Sequence, residues 1–226
     1  MAAGEGRRLR PLTERWAKPI LPIDGRPVIA TLLHELAGAG FERVTIVTGH
    51  LGQQIEALLG DGRSFGVELR YAQQPRADGS ADAVRRGMEA GATPPLVVTA
   101  ADMVFGRGDV ARFVAEFAAT GVAGAIAARR EPPPRPGRAP IRIEAGRVTR
   151  VIDDDPDNPL SGAPLWGVGE EIAASLGDLP GPPYELATAF QRAIDDGATV
   201  AGIEISRTRD LTNPVDLVAE NFPYLL

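Results

Sequence analysis

The sequence predicts an α/β fold: a doubly wound, mostly parallel, Rossmann-like sheet with a small β-hairpin insertion. Three observations lead there. Short β-branched or aliphatic runs, Val44–Thr48 and Leu96–Ala100 among them, read as strands buried on both faces. Amphipathic segments of helical length separate these runs, which is the rhythm of βαβ units. A Gly-x-Gly loop, Gly4 to Gly6, stands at the end of the first strand, where a phosphate loop belongs.

The elements run in this order. Pro27 to Ala39 is a helix, because Val28, Ile29, Leu32, Leu33 and Leu36 share one face and Gly38 and Gly40 end it. Val44–Thr48 is a buried strand, Leu51–Leu59 a helix and Val67–Ala72 an alternating strand. Ser80–Ala90 is a helix, Leu96–Ala100 a strand, Val110–Ala119 a helix and Val122–Ala128 a strand. Residues 131–140 hold five prolines and read as a loop. Ile141–Glu144 and Arg147–Ile152 flank Ala145-Gly146, a hairpin pattern. Helices at Glu170–Leu176 and Tyr184–Asp196, a strand at Val200–Ile205 and a helix from Pro214 complete the chain. Its 226 residues are read as one domain with a full core.

Composition narrows the function. A formal charge of −6 disfavours nucleic acid as a partner, since phosphate neutralisation needs a basic face. No apolar run approaches the roughly 18–20 residues of a membrane span, so no membrane partner is expected. The absence of cysteine removes disulfides, zinc–thiolate sites and thiol catalysis, and fits a cytoplasmic location. Homo-oligomer formation is left open.

Ligands of an open α/β sheet bind beyond the carboxyl ends of its strands. The residues there are Gly4 to Arg8, Gly49-His50, Asp102 and Asp210. Gly4, Gly6 and Arg8, with Arg7 and Arg10, form a flexible loop rich in amides and positive charge, suited to a polyphosphate. Neither the P-loop pattern nor a full dinucleotide fingerprint is present. Arg7 and Arg10 are expected in solvent, His34 in packing or at the surface, and His50 in a structural role. Gln73 and Gln74 are read either as a base-reading edge or as polar surface.

The segment Ala2-Ala3-Gly4-x-Gly6-x-Arg8-Leu9-x-Pro11-Leu12-Thr13, followed by Lys18-Pro19-x-Leu21-Pro22, resembles the signature of the sugar-1-phosphate nucleotidyltransferases. The resemblance implies a nucleotidyltransferase-type sheet, with a nucleoside triphosphate and a sugar 1-phosphate, or another small phosphorylated acceptor, as partners. It assigns Ala3, Gly4, Gly6, Gly79 and Ser80 to nucleotide binding. It makes Arg8, Lys18 and Asp102 catalytic, and Asp102 and Asp210 ligands of Mg2+. The physical chemistry agrees: attack on an α-phosphorus needs charge neutralisation and in-line positioning, and no protein nucleophile.

Two departures from that family stand out. Many relatives carry Glu-Lys-Pro after the hairpin, and here Asp154-Asp155-Pro156 comes after Asp153. Either Arg147 or Arg150 takes over the acceptor phosphate while the aspartates face solvent, or Trp166 and the aspartates hold a cationic acceptor such as phosphocholine. A non-catalytic, nucleotide-binding regulatory subunit is the remaining alternative. The first strand is also cut to Met1-Ala2-Ala3. An apolar slot is therefore expected beside it, and the natural protein is expected to start upstream.

Overall fold

The structure, a computed structural model, describes residues 1–130, 139–155 and 157–225. Most of the Pro-rich loop expected over 131–140, and Pro156, lie outside the described residues. In chain order the elements are β1 (Pro22–Ile23), β2 (Arg26–Pro27), α1 (Val28–Gly38), β3 (Arg43–Thr48), α2 (Gly52–Leu59) and β4 (Glu68–Gln73). Then come α3 (Ser80–Glu89), β5 (Leu96–Thr99), β6 (Met103–Val104), α4 (Asp109–Thr120) and β7 (Gly124–Arg130). The remainder is β8 (Arg142–Glu144), β9 (Arg147–Arg150), β10 (Leu160–Val168), α5 (Glu170–Ser175), α6 (Leu186–Asp195), β11 (Val200–Glu204), β12 (Arg209–Asp210) and α7 (Pro214–Asn221).

The fold is α/β, as the alternation of elements requires. β3 and β4 pair in parallel, and Ala2 bridges Thr48 in parallel beside them. On its other side Met1 takes the amide of Ala101 at 2.8 Å and donates its amino group to Thr99 at 2.7 Å. Met1–Ala3 thus lies between β3 and β5, and the order continues β5-β10-β7-β11-β9-β8. β4, β3, Met1–Ala3, β5, β7 and β11 share one direction, with β10 antiparallel between β5 and β7. The hairpin of β8 and β9 turns through Ala145 (φ 49°) and Gly146 (φ 77°) and joins the edge of β11.

Both faces of the sheet are covered. Alternate residues of β7 divide between them: Ala125 and Ala127 face one core with α1, α2 and α4, whereas Ile126 and Ala128 face another with α3, α5 and α6. The five apolar residues expected on one face of α1 are all buried. Each such side chain contributes about 1.5–3 kcal/mol.

The two-residue strands β1, β2, β6 and β12 escape the sequence reading, and β10 is the long strand that periodicity does not reveal. Its nine residues include Gly162, Pro164 and Gly167, and a proline inside a central strand ordinarily argues against one. A register shift between Gly162 and Trp166 accommodates Pro164 here, and its carbonyl still receives the Ala100 amide at 3.1 Å. At Gly167 an added Cβ would stand 2.6 Å from the Phe117 ring, so glycine lets α4 reach the sheet. The helix expected from Tyr184 begins instead at Leu186, because the Tyr184 backbone is engaged by Asp78 and Ala81.

The slot expected beside the short first segment is present. A cavity of about 340 Å³ lies between β3 and β5, lined by Met1, Ile46, Val47, Val98 and Thr99, with Leu32 and Leu33 from the α1 core and Val84 from the α3 core also in its wall.

Candidate active site

A second cavity, of about 450 Å³, opens where the carboxyl ends of Met1–Ala3, β4 and β5 meet. Ala3, Gly4, Gly6, Arg8, Lys18, Gly79, Ser80 and Asp102 all line it. The fold therefore gathers every expected binding and catalytic residue except Asp210, whose neighbours Leu211 and Thr212 reach the wall.

The loop from Gly4 to Arg8 is held from beneath. Gly6 adopts φ 62°, and an added Cβ there would lie 2.8 Å from Thr13 Cγ2. The Gly6 carbonyl accepts both the Leu9 amide and the Thr13 hydroxyl at 2.9 Å. His50 Nε2 contacts the Thr13 carbonyl at 2.8 Å, the structural role expected of it. The amides of Gly4, Glu5, Gly6, Arg7 and Arg8 have no acceptor among the described residues. Successive free amides around a left-handed residue form an anion-binding concavity. Gly49 makes the approach of β3 possible, since a Cβ there would sit 2.8 Å from the Ala3 carbonyl.

The three arginines separate by partner. Arg7 Nε donates to Glu5 at 2.8 Å and Arg10 reaches the same carboxylate at 3.5 Å. The Arg7 hydrogen bond holds the exposed Glu5 below the usual carboxylate range. Arg8 has no carboxylate partner among the described residues, so its guanidinium fork is free for phosphate oxygens.

Lys18 Nζ forms an ion pair with Asp102 Oδ2, and both side chains are largely covered. Asp102 lies just past β5. Asp210 reaches the same region through pairing, because β12 runs antiparallel to β6 with Asp210 opposite Met103. Asp210 Oδ2 accepts the Thr212 hydroxyl at 2.8 Å. Arg209 is clamped by Asp24 and by Glu220, which ties β12 to the β1–β2 turn and to α7. Among the described residues no group of three or more His, Cys, Asp or Glu converges as a closed metal cage. Two carboxylates, one in the turn before β6 and one on β12, match the hard oxygen donors of a cation that keeps several waters.

Gly79 and Ser80 do a second job. Gly79 has φ 107°, and an added Cβ would fall 2.3 Å from the Tyr184 carbonyl. Ser80 Oγ donates to Glu185 at 2.6 Å and accepts the Leu186 amide at 2.8 Å. They pin the segment before α6 to the start of α3, a contact no local sequence pattern signals. Gln74, a residue that the sequence leaves between base edge and polar surface, is buried and lines the cavity.

The region after the hairpin corrects two expectations. Asp153 is buried, not facing solvent. It accepts from Arg142 at 3.1 Å and from Asn158 at 2.7 Å. Arg142 also reaches Asp155 at 3.6 Å. Asp154 and Asp155 do face solvent, and Arg142 offsets only part of the local negative charge. Trp166 is not part of a cage either: its ring packs 4.9 Å from Phe190 within the α3–α5–α6 core.

A mostly parallel α/β sheet thus carries an amide-rich loop, an arginine without a carboxylate partner among the described residues and a lysine–aspartate pair in one crevice at its carboxyl edge. The chain belongs to the nucleotidyl transferase family, whose model matches residues 1–159. It is 30% identical over 229 residues to the glucose-1-phosphate thymidylyltransferase of Streptomyces griseus, covering 98% of this chain and 64% of the relative. Over 75 residues it is 45% identical to the N-acetylmuramate alpha-1-phosphate uridylyltransferase of Neisseria meningitidis, covering 33% of this chain and 32% of the relative. In fold it is similar to the UDP-glucose pyrophosphorylase of Acinetobacter baumanii, with a TM-score of 0.83, 17% identity, and 97% and 89% of the two chains covered. The matches cover 32% and 64% of the lengths of these two curated relatives, so the chain spans less than two thirds of either. No helix among the described residues is long and apolar enough to cross a membrane.

Proposed function

We propose that this chain transfers a nucleotidyl group from a nucleoside triphosphate to a sugar 1-phosphate, releasing pyrophosphate. The observation that carries the reading is that Gly4, Gly6, Arg7 and Arg8, whose amides have no acceptor among the described residues, line the same cavity as Lys18 and Asp102. The amides and Arg8 hold the triphosphate. Lys18 supplies a mobile charge for the phosphates as pyrophosphate departs. The acceptor's phosphate oxygen attacks the α-phosphorus directly, so the new P–O bond forms as the bond to pyrophosphate breaks.

Asp102 and Asp210 would hold Mg2+, which when bound supplies charge neutralisation on the phosphate oxygens. Their fit rests on the pairing of β12 with β6 and on the hard oxygen donors they offer. The relatives from Streptomyces griseus and Neisseria meningitidis take glucose 1-phosphate and N-acetylmuramate α-1-phosphate by name, which favours a hexose 1-phosphate here. The absence of cysteine supports action in the cytoplasm.

The test is pyrophosphate release with Mg2+ across the common nucleoside triphosphates, crossed with hexose 1-phosphates and phosphocholine. Turnover with a hexose 1-phosphate is expected. Triphosphate binding without turnover on any acceptor would instead identify a regulatory nucleotide-binding subunit.

A further inference from the structure

Lys18 is rooted at one half of the site and tipped into the other. Its backbone is fixed: Pro19 is buried, and the Lys18 carbonyl accepts the Leu21 amide at 3.1 Å. The preceding Ala17 amide donates to Gln54 Oε1 at 2.9 Å. The root lies against the Gly4–Arg8 loop, since a Cβ added at Gly6 would stand 3.4 Å from Lys18 Cβ. The tip, the ammonium, is paired with Asp102 Oδ2. A flexible four-carbon stem on a fixed root lets that tip move between Asp102 and anions held by the loop.

No other ion pair or side-chain hydrogen bond reaches Asp102 among the described residues, and Lys18 pairs with no other carboxylate there. The ammonium thus stands in for a metal ion on the carboxylate assigned to Mg2+. A divalent cation arriving at Asp102 meets a positive charge already in contact with it. Displacing that charge leaves a largely covered lysine without its partner, which is costly. The free amides of the loop offer an ammonium no acceptor. A bound polyphosphate offers it several.

We propose that Lys18 is a placeholder cation, which closes the metal site of the empty protein and opens it when a triphosphate arrives. The phosphates draw the ammonium off Asp102, so triphosphate and divalent cation favour each other's binding beyond their direct contact. The site then loads metal with its substrate and not from free solution. The proposal rests on the reading of Asp102 as a metal ligand. It gives Lys18 a role before any chemistry, separate from its charge on departing pyrophosphate.

The experiment is titration of the full chain with Mn2+ alone, without nucleotide, reading free Mn2+ by electron paramagnetic resonance. Lys18→Met is expected to bind Mn2+ about tenfold or more tightly than wild type, the scale of one charge-assisted bond no longer competing. Lys18→Gln carries the same expectation and decides if the methionine variant does not fold. Lys18→Arg keeps the competing charge and should stay within about threefold of wild type. Arg8→Gln removes a charge from the same cavity that pairs with no described carboxylate, and should also stay within about threefold. Adding Asp102→Ala to Lys18→Met should abolish the gain. Equal Mn2+ affinity in wild type and the neutral Lys18 variants overturns the proposal. So does an equal gain in Lys18→Arg or in Arg8→Gln, which would mark a general field effect. A gain that survives Asp102→Ala, or no Mn2+ binding by any variant, overturns the metal reading together with this inference. Absence of transfer on every acceptor would sink the proposed function and leave the Mn2+ affinities standing.

Discussion

Asp210 stands opposite Met103 in the antiparallel pair of β12 and β6, and Met103 directly follows Asp102, the carboxylate paired with Lys18. Residues from three distant parts of the sequence meet there. Asp102→Ala should abolish pyrophosphate release while the far-ultraviolet circular dichroism stays unchanged. Lys18→Gln should lower kcat by about 10²–10³, the cost of one lost charge-stabilising donor. Full turnover in Asp102→Ala would refute the assignment.

Gly6 and Gly4 make a matched pair. At Gly6 the positive φ and the 2.8 Å approach to Thr13 both penalise a side chain, whereas nothing lies within 4 Å of a Cβ at Gly4. Gly6→Ala should destabilise the chain by about 1–3 kcal/mol and weaken triphosphate binding with it. Gly4→Ala should leave the stability within about 0.5 kcal/mol of wild type. Chemical denaturation of both variants decides; equal losses would contradict the loop geometry.

Asp153 gives stability a sign in acid. Burial raises its carboxyl, but Asn158 and Arg142 more than offset this and hold it below the usual value. A carboxyl depressed in the folded state stabilises fully above its unfolded pKa of about 3.9, and the gain is lost as pH falls through the lower folded value. Unfolding measured from about pH 6 downward should therefore show stability falling below about pH 4. Asp153→Asn should be less stable at neutral pH and show a flatter acid limb. An identical acid slope in the variant would show that Asp153 does not contribute.

Phosphocholine should not serve as acceptor. Trp166 is packed on Phe190, and Asp153 is buried against Arg142 and Asn158, so the ring and the buried carboxylate are each engaged elsewhere and do not join in a cage for a quaternary ammonium. CTP with saturating phosphocholine is expected to yield no pyrophosphate above background. Turnover with it would show that this region rearranges around the ligand.

Local sequence determined the helices and most strands, because one-face periodicity in α1 and β-branched runs such as β3 are short-range signals. It also determined the loop: Gly6 is fixed by a φ few other residues tolerate, and Arg8 and Lys18 by the charge a polyphosphate needs. Long-range packing decided the rest. β10 forms despite Pro164, because the edges of β5 and β7 supply its pairing and a register shift absorbs the missing amide. Asp153 and Ser80 acquire their roles from Arg142 and Glu185, partners that no local pattern specifies. A side chain's type is written in the sequence; its hydrogen-bond partners are set only when the sheet closes.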